Sequence, residues 1–557
     1  MELRIPNNNM KWDLLLTYPT EKARADKKIN FRNGVLIILN LIHFQDYRRV
    51  KDLRAGYFAP LNGEEMEKIF SKNGWGEIKK HLIENHIIEE DYYEKGVSSF
   101  GYRLIITKQG PETIDMSLIP QGSVYKNFLQ YIEKNKEYSQ QNNKKVDYLI
   151  NQFERSELEL DPSVYDFVKN YQLELFKLDA SLNPSEDSYY GILMLVGGYI
   201  HDINKFNKGE VEPFVSKSNN RLYSIINTIK KEIRYYIRNG NNKFIEYDLS
   251  ASYNYVLATI LNYDFFTSTS SSYSLSNIFS LVYSRLVYLN SIDIKEQNNY
   301  ISYMSPTYWE LEDVKRYINL PFENDVYEWL RRMVQFDDDL NGRFKTNDRA
   351  TIKDEFKSYF NLKESVIRKG KRGEKTSIGP DGLPMVKFME KHFPSVNTLV
   401  SRLIYLNRIK SPLSLLMQRC EAYLVQEIAA KHIIDQHPNQ LVFTIHDSLF
   451  IESIPGQNPE LIVKEMKDVL LGFTGIMPGI KNKSIDPMTI MHEIVNEDYN
   501  LMIDNLNSSK PVELNSGNKS SITAALEFIY ASSSRELKSE KRKLKAYWKK
   551  ISSRNSD

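Results

Sequence analysis

The run Leu441–Glu452, LVFTIHDSLFIE, sets a carboxylate, Asp447, in the middle of an otherwise apolar stretch. Val442, Phe443, Thr444 and Ile445 before the break, and Leu449, Phe450 and Ile451 after it, favour two extended strands joined by a tight turn at His446–Asp447–Ser448. An ionised carboxylate at such a bend is costly to desolvate and demands a cation, a cluster of donors or water. A second carboxylate arises upstream in NKFIEYDLSASYNYVLATIL, where Phe244–Leu249 reads as a strand and Ser252–Leu261 as a helix. Asp248 stands where strand hands over to helix, a position that suits a helix N-cap as well as a metal ligand. Two carboxylates held side by side on two strands repel unless cations bridge them. Paired Mg²⁺ ions about 4 Å apart, with Mn²⁺ as a substitute, are the arrangement that serves in-line phosphoryl and nucleotidyl transfer.

Between the two acids lies Arg343–Asn361, RFKTNDRATIKDEFKSYFN. Lys345, Arg349, Lys353 and Lys357 recur every four residues, which places four cations on one face of a helix. Asp354 and Glu355 offset them only in part, and Phe356, Tyr359 and Phe360 occupy the neighbouring face. Such a face could neutralise a triphosphate and its pyrophosphate leaving group, and an aromatic beside it could stack on a base. The alternative is a solvated surface helix. The acidic run Asp337–Asp339, next to Asn341–Gly342, reads as a solvated turn rather than a metal site.

The elements that must position these groups fall into four stretches. Residues 1–115 hold helical spacing at Asn33–Phe44, Glu64–Phe70 and Trp75–Asn85, then two strand-like runs, Ile87–Tyr93 and Phe100–Ile106, about a Lys95–Gly96 turn. Three helices followed by a hairpin is the order of a winged-helix domain. Lys79, Lys80, His81, Lys95 and Arg103 would face duplex DNA. Glu77, Glu84, Glu89, Glu90 and Asp91 dilute that charge and leave a protein partner open. Residues 116–215 are helical and polar, 216–505 carry the chemical signals, and 506–557 form a linker and a basic tail suited to phosphates or simply solvated. With 557 residues, 41% of them hydrophobic, several cores can form; 74 basic against 72 acidic residues leave a net charge of only +2, so any nucleic-acid surface is local. One cysteine, Cys420, excludes an internal disulfide and a cysteine-rich zinc site. No stretch reads as a signal peptide or a bilayer span, which leads to the expectation of a cytoplasmic protein that does not engage a membrane.

In this order the motifs resemble family A DNA polymerases and the related phage-type single-subunit RNA polymerases over about 216–455. The resemblance implies an α+β, right-hand polymerase: a palm with an antiparallel sheet, helical fingers and thumb, here behind a winged-helix-like domain. FIEYDLSASYNYVLA is similar to motif A, which implies that Asp248 and the Leu249 carbonyl bind metal. DRATIKDEFKSYF is similar to the fingers helix, which makes Arg349 and Lys353 triphosphate ligands, Lys353 a proton donor, and Tyr359 or Phe360 the nucleotide-stacking ring. TIHDSLF resembles motif C, with Asp447 as the second metal ligand and His446 at the primer terminus. NNRLYSIINTIKKEIR and SLLMQRCEAYLVQEI are similar to segments that contact the primer–template duplex, pointing to Arg221 and Gln418.

Three departures matter. Motif C reads His-Asp-Ser, as in the RNA polymerases, rather than His-Asp-Glu. The fingers aromatics come six and seven residues after Lys353 and are not followed by glycine. Five residues after Asp248, at the position that discriminates sugars, stands Tyr253, whose bulk would clash with a 2′-hydroxyl. The expectation is therefore a DNA-directed DNA polymerase that takes primer–template DNA and nucleoside triphosphates. Proteins of this general layout serve replication of plasmids and other mobile elements. A single-subunit RNA polymerase or primase, and a non-catalytic DNA-binding initiator, are the alternatives.

Overall fold

The computed structural model describes residues 2–7, 12–48, 59–90, 101–104, 112–182, 186–209, 212–295, 306–340, 344, 346, 348–362, 366–369, 375–378, 384–404, 406 and 412–508, apart from isolated positions within these ranges. The fold is α+β. Lys345, the Lys95–Gly96 turn and the basic tail lie outside the described residues. Among the described residues no helix is long and apolar enough to cross a membrane.

The N-terminal unit contains helices Ala25–Arg48, Gly63–Phe70 and Lys72–Glu84. The third helix starts earlier than its apolar spacing suggests: Ser71 caps it by accepting from the Gly74 N–H, so the Asn73–Gly74 pair lies inside its first turn. Ile88–Glu90 pairs antiparallel with Gly101–Leu104, and Ala59–Pro60 adds to the far edge of the latter strand. The core of this unit, from Leu3 through Leu39, Ile69 and Leu82, also takes in Val124 and Phe128 of the helix Ser123–Asn143. It therefore reaches past residue 115. Lys79 pairs with Glu90 at 2.9 Å, and the His81 ring lies 3.1 Å from the Leu15 carbonyl oxygen and packs on Phe31. Of the side chains expected to face DNA, Lys79 and His81 are thus held within the unit and Lys80 stays exposed, while Lys95 and the Arg103 side chain lie outside what the structure describes.

The central sheet consists of β1 (Leu158–Leu160), β2 (Ile237–Asn239), β3 (Asn242–Leu249), β4 (Val442–Ile445), β5 (Ser448–Ser453) and β6 (Ile480–Asn482). Its order is β4–β5–β3–β2–β1, all antiparallel. β3 is covered by β5 along one edge; its other edge meets β2 at the start and β6 at the end. β1 comes from the stretch read as purely helical; it is too short to leave a periodic signal.

The strands alternate between two buried faces. Val442, Leu449, Ile451, Tyr247 and Leu249 face one core, while Phe443, Ile445, Phe450 and Phe244 face the other. The second core is closed by α1 (Ser163–Ser181), α2 (Glu186–Asn207) and α6 (Met491–Ser508). Between the strands run α3 (Ser252–Ile260), α4 (Arg349–Phe360) and α5 (Pro412–Ala422). α4 begins at Arg349 because the Asp348 carboxylate accepts the Thr351 N–H. The helix is therefore shorter than the stretch from Arg343 that its cationic spacing suggested. Asp337 is buried rather than solvated, held by Lys391 and His392, each at 2.8 Å.

One glycine fixes the junction between β6 and the sheet. A Cβ at Gly479 would come within 2.1 Å of the Phe322 carbonyl oxygen and 3.1 Å of the Ser250 Cβ, and its own carbonyl accepts the Ser250 N–H at 2.7 Å. Gly479→Ala is expected to destabilise the chain by about 2 kcal/mol, as overpacked cores do, measured by denaturant unfolding. A midpoint equal to that of the wild type would show that this approach is not tight.

Candidate active site

The acid pair follows from register. Asp248 lies directly opposite Ser448, and beyond the end of that ladder the Leu249 N–H donates to the Asp447 carbonyl at 3.0 Å. The hairpin break is His446–Asp447 alone, with Ser448 already in β5. His446 turns the chain with φ of 52°, a left-handed conformation that few residues other than glycine, asparagine, aspartate and histidine adopt. The turn thereby brings Asp447 to the end of β3, beside Asp248. The His446 ring rests edge-on to Tyr223, 5.8 Å between centroids.

Both carboxylates are held by hydroxyls. Ser448 Oγ donates to Asp248 Oδ1 at 3.1 Å, and Ser252 Oγ, at the start of α3, donates to Asp447 Oδ2 at 3.0 Å. The Lys483 ammonium also contacts Asp248 Oδ1. Burial, with the Asp447 charge, pushes the Asp248 carboxyl up from the ordinary aspartate range; Lys483 and Ser448 oppose the shift. Excess negative charge is thus gathered in one place. Among the described residues no cluster of three or more His, Cys, Asp or Glu could hold a metal, so a metal would rest on this pair with hydroxyl or carbonyl oxygens. An all-oxygen set with two carboxylates suits a hard cation such as Mg²⁺. Leu249, buried at the end of β3, ends the strand beside Asp447.

The cations of α4 divide. Lys353 is half-buried, and desolvation, followed by repulsion from Lys357, Lys483 and Arg349, holds its ammonium below the usual lysine range, while Asp248 opposes the shift. It therefore sits within electrostatic reach of Asp248. Arg349 pairs with Asp325 at 2.5 Å and lies 5.8 Å from the Tyr327 ring centre. The Tyr327 phenol is pushed up to about 12 by burial, with Asn254 and Arg349 opposing and the Asp447 and Asp248 charges reinforcing the shift. Lys357 pairs with Asp354 at 3.3 Å.

Both aromatics at the end of α4 are fully buried in the core, so neither presents a face on which a base could stack. Tyr359 is fully buried and its hydroxyl donates to Asn397 at 2.8 Å, so it belongs to the core and not to a nucleotide platform. Phe360 meets Tyr253 edge-on, with centroids 5.5 Å apart and rings at 89°. Tyr253 is further fixed by Gln418, whose Nε2 donates to its hydroxyl at 3.3 Å. The Gln418 carbonyl oxygen accepts from Asn219 at 3.1 Å. Arg221 forms an ion pair with Glu421, which lies one turn along α5 from Gln418 and is buried. Burial pushes the Glu421 carboxyl up to about 8, Arg221 opposing and the Asp447 charge reinforcing the shift. Arg221 and Gln418 are thus brought to the site but are occupied by protein partners.

Asp248, Asp447, Lys353, Tyr253, Phe360, Gln418 and Arg221 therefore converge on one region, Arg349 borders it, and Tyr359 is turned away. Lys483, Ser252, Glu421 and Tyr327 complete it without having stood out in the sequence. Only Ser252 left a trace there, as the first residue of a helix directly after a strand aspartate. No protein-family model matches the chain, and no curated protein matches it.

Proposed function

We propose that the chain is a template-directed nucleotidyltransferase, a DNA-directed DNA polymerase acting by a two-metal mechanism. The observation that carries this reading is the side-by-side placement of Asp248 and Asp447 at the ends of neighbouring strands, with Asp248 within electrostatic reach of Lys353 on α4. Asp248 and Asp447 would hold the divalent ions, which when bound supply an activated primer 3′-hydroxyl and neutralise the triphosphate. Lys353, its ammonium already destabilised, would protonate the leaving pyrophosphate, since a lowered pKa makes it the better acid. Arg349 would exchange Asp325 for a phosphate, a half-exposed pair being easily exchanged. Tyr253, braced by Phe360 and Gln418, would line the sugar. The N-terminal unit has the helix and strand order of a winged helix and would tether the enzyme to duplex DNA or to a protein partner.

Ser448 favours one second reading. It donates a hydrogen bond to Asp248 and stands where the DNA polymerases that the motifs resemble carry glutamate, the His-Asp-Ser order being that of the single-subunit RNA polymerases. The test is extension of a labelled primer on a DNA template in Mg²⁺, with dNTPs and rNTPs in separate arms and an Asp248→Ala control. The expected outcome is extension with dNTPs that the control abolishes. Extension only with rNTPs would favour the second reading, and duplex binding without any extension would leave a non-catalytic initiator.

A further inference from the structure

We propose that Lys483 is a resident counter-cation of the acid pair, exchanged for a divalent ion when the site loads and passed to the nucleotide's phosphates. The inference rests on the metal-binding role proposed for Asp248 and Asp447. Nothing in the sequence around Lys483 marks it; register alone places it. β6 pairs with β3 so that Asp248 faces Lys481, and one step beyond the ladder the Lys483 N–H donates to the Glu246 carbonyl at 2.8 Å. Position 483 therefore lies on the same face of the sheet as Glu246 and Asp248, diagonal to the latter, within reach of a long side chain. Glu246 already has a partner, Arg234, at 3.3 Å. The Lys483 ammonium instead contacts Asp248 Oδ1, on the same oxygen that accepts from Ser448.

Two features separate this contact from a structural latch. The Lys483 side chain is 52% exposed while Asp248 is 8% exposed, so the lysine can leave towards solvent although the carboxylate cannot. Its main chain is meanwhile fixed by the bond to Glu246, so the ammonium can swing on its flexible stem without moving the sheet. Secondly, a second lysine from a different element, Lys353 on α4, lies within electrostatic reach of both Lys483 and Asp248. With the acids unliganded, Lys483 compensates their charge. A dication bound to Asp248 would repel it, and the triphosphate proposed to meet Lys353 would then offer it a new anionic partner.

The test is Mn²⁺ binding to the full chain, followed by electron paramagnetic resonance, in the wild type, Lys483→Gln, Lys483→Arg, Lys481→Gln and Asp447→Asn. Lys481 is an exposed lysine of the same strand directly opposite Asp248, and it controls for the general field. Lys483→Gln is expected to bind Mn²⁺ about five- to tenfold more tightly without nucleotide, with Lys481→Gln close to the wild type. In primer extension Lys483→Gln should raise the KM for dNTP several-fold with a smaller change in kcat, and Lys483→Arg should restore KM. Equal tightening by Lys481→Gln and Lys483→Gln, or none by either, overturns the exchange while leaving the acid pair as a metal site. Absence of Mn²⁺ binding to the wild type, or binding unchanged by Asp447→Asn, overturns the metal-site reading and this inference with it.

Discussion

Asp447→Asn is expected to lower single-turnover primer extension by about 10³-fold or more while leaving the thermal midpoint unchanged or slightly raised. The two halves of that expectation come from different atoms. The hairpin is held by main-chain bonds, including the Leu249 N–H to the Asp447 carbonyl, which an asparagine keeps. An asparagine also keeps an oxygen to accept from Ser252 Oγ. What it removes is the charge that adds to burial in raising Asp248, so repulsion between the acids is relieved and the fold loses nothing. Function loses half of the anionic donor set. Asp248→Asn is less clean, because Asp248 is buried and also holds Ser448 and Lys483. Extension by Asp447→Asn at more than a tenth of the wild-type rate would remove the pair from the reaction. A drop in midpoint of several degrees would instead assign Asp447 a structural role.

The acids were legible because each sits at a change of hydrophobic period. At Asp248 alternation by two yields to helical spacing, and at Asp447 an apolar run is interrupted by polar residues between two strand-forming halves. Tyr253 was legible only through the resemblance, as the fifth residue after the aspartate of the run similar to motif A. What was not legible depended on register or on which way a helix turns. Lys483 reaches Asp248 only because β6 pairs with β3 in one register, and a slip of a single residue would send it to the other face. Tyr359 and Phe360 are adjacent, about 100° apart around α4, and only the packing of α4 against Asn397 and Tyr253 decides which buried ring backs Tyr253. Asp337 looked solvated because neighbouring acids and Asn341–Gly342 read as a turn; Lys391 and His392, distant in sequence, bury it. Glu421 stayed hidden within an apolar helix because its partner Arg221 lies 200 residues away.

Tyr253→Ala is expected to raise the ratio of rNTP to dNTP incorporation by about 10–100-fold, with dNTP use falling less than tenfold. The argument starts from the bracing of the ring. A free tyrosine beside the sugar would rotate away from a 2′-hydroxyl at little cost. Here the Tyr253 hydroxyl accepts from Gln418 at 3.3 Å, and Phe360 stands against the ring edge-on at 5.5 Å. Gln418 is itself held by Asn219 and Ser414, so the brace extends across three segments of the chain. A clash that cannot be relieved by rotation costs about 1–3 kcal/mol in a packed site, which at about 1.4 kcal/mol per tenfold gives the range above. Phe360→Ala should relax discrimination in the same direction but less, because Gln418 still holds the hydroxyl. The double substitution should then add little to Tyr253→Ala, since both act through one contact. Discrimination unchanged in Tyr253→Ala would remove the sugar-gating role. Relaxation in Phe360→Ala equal to that in Tyr253→Ala would make Phe360, not Gln418, the support on which the gate depends.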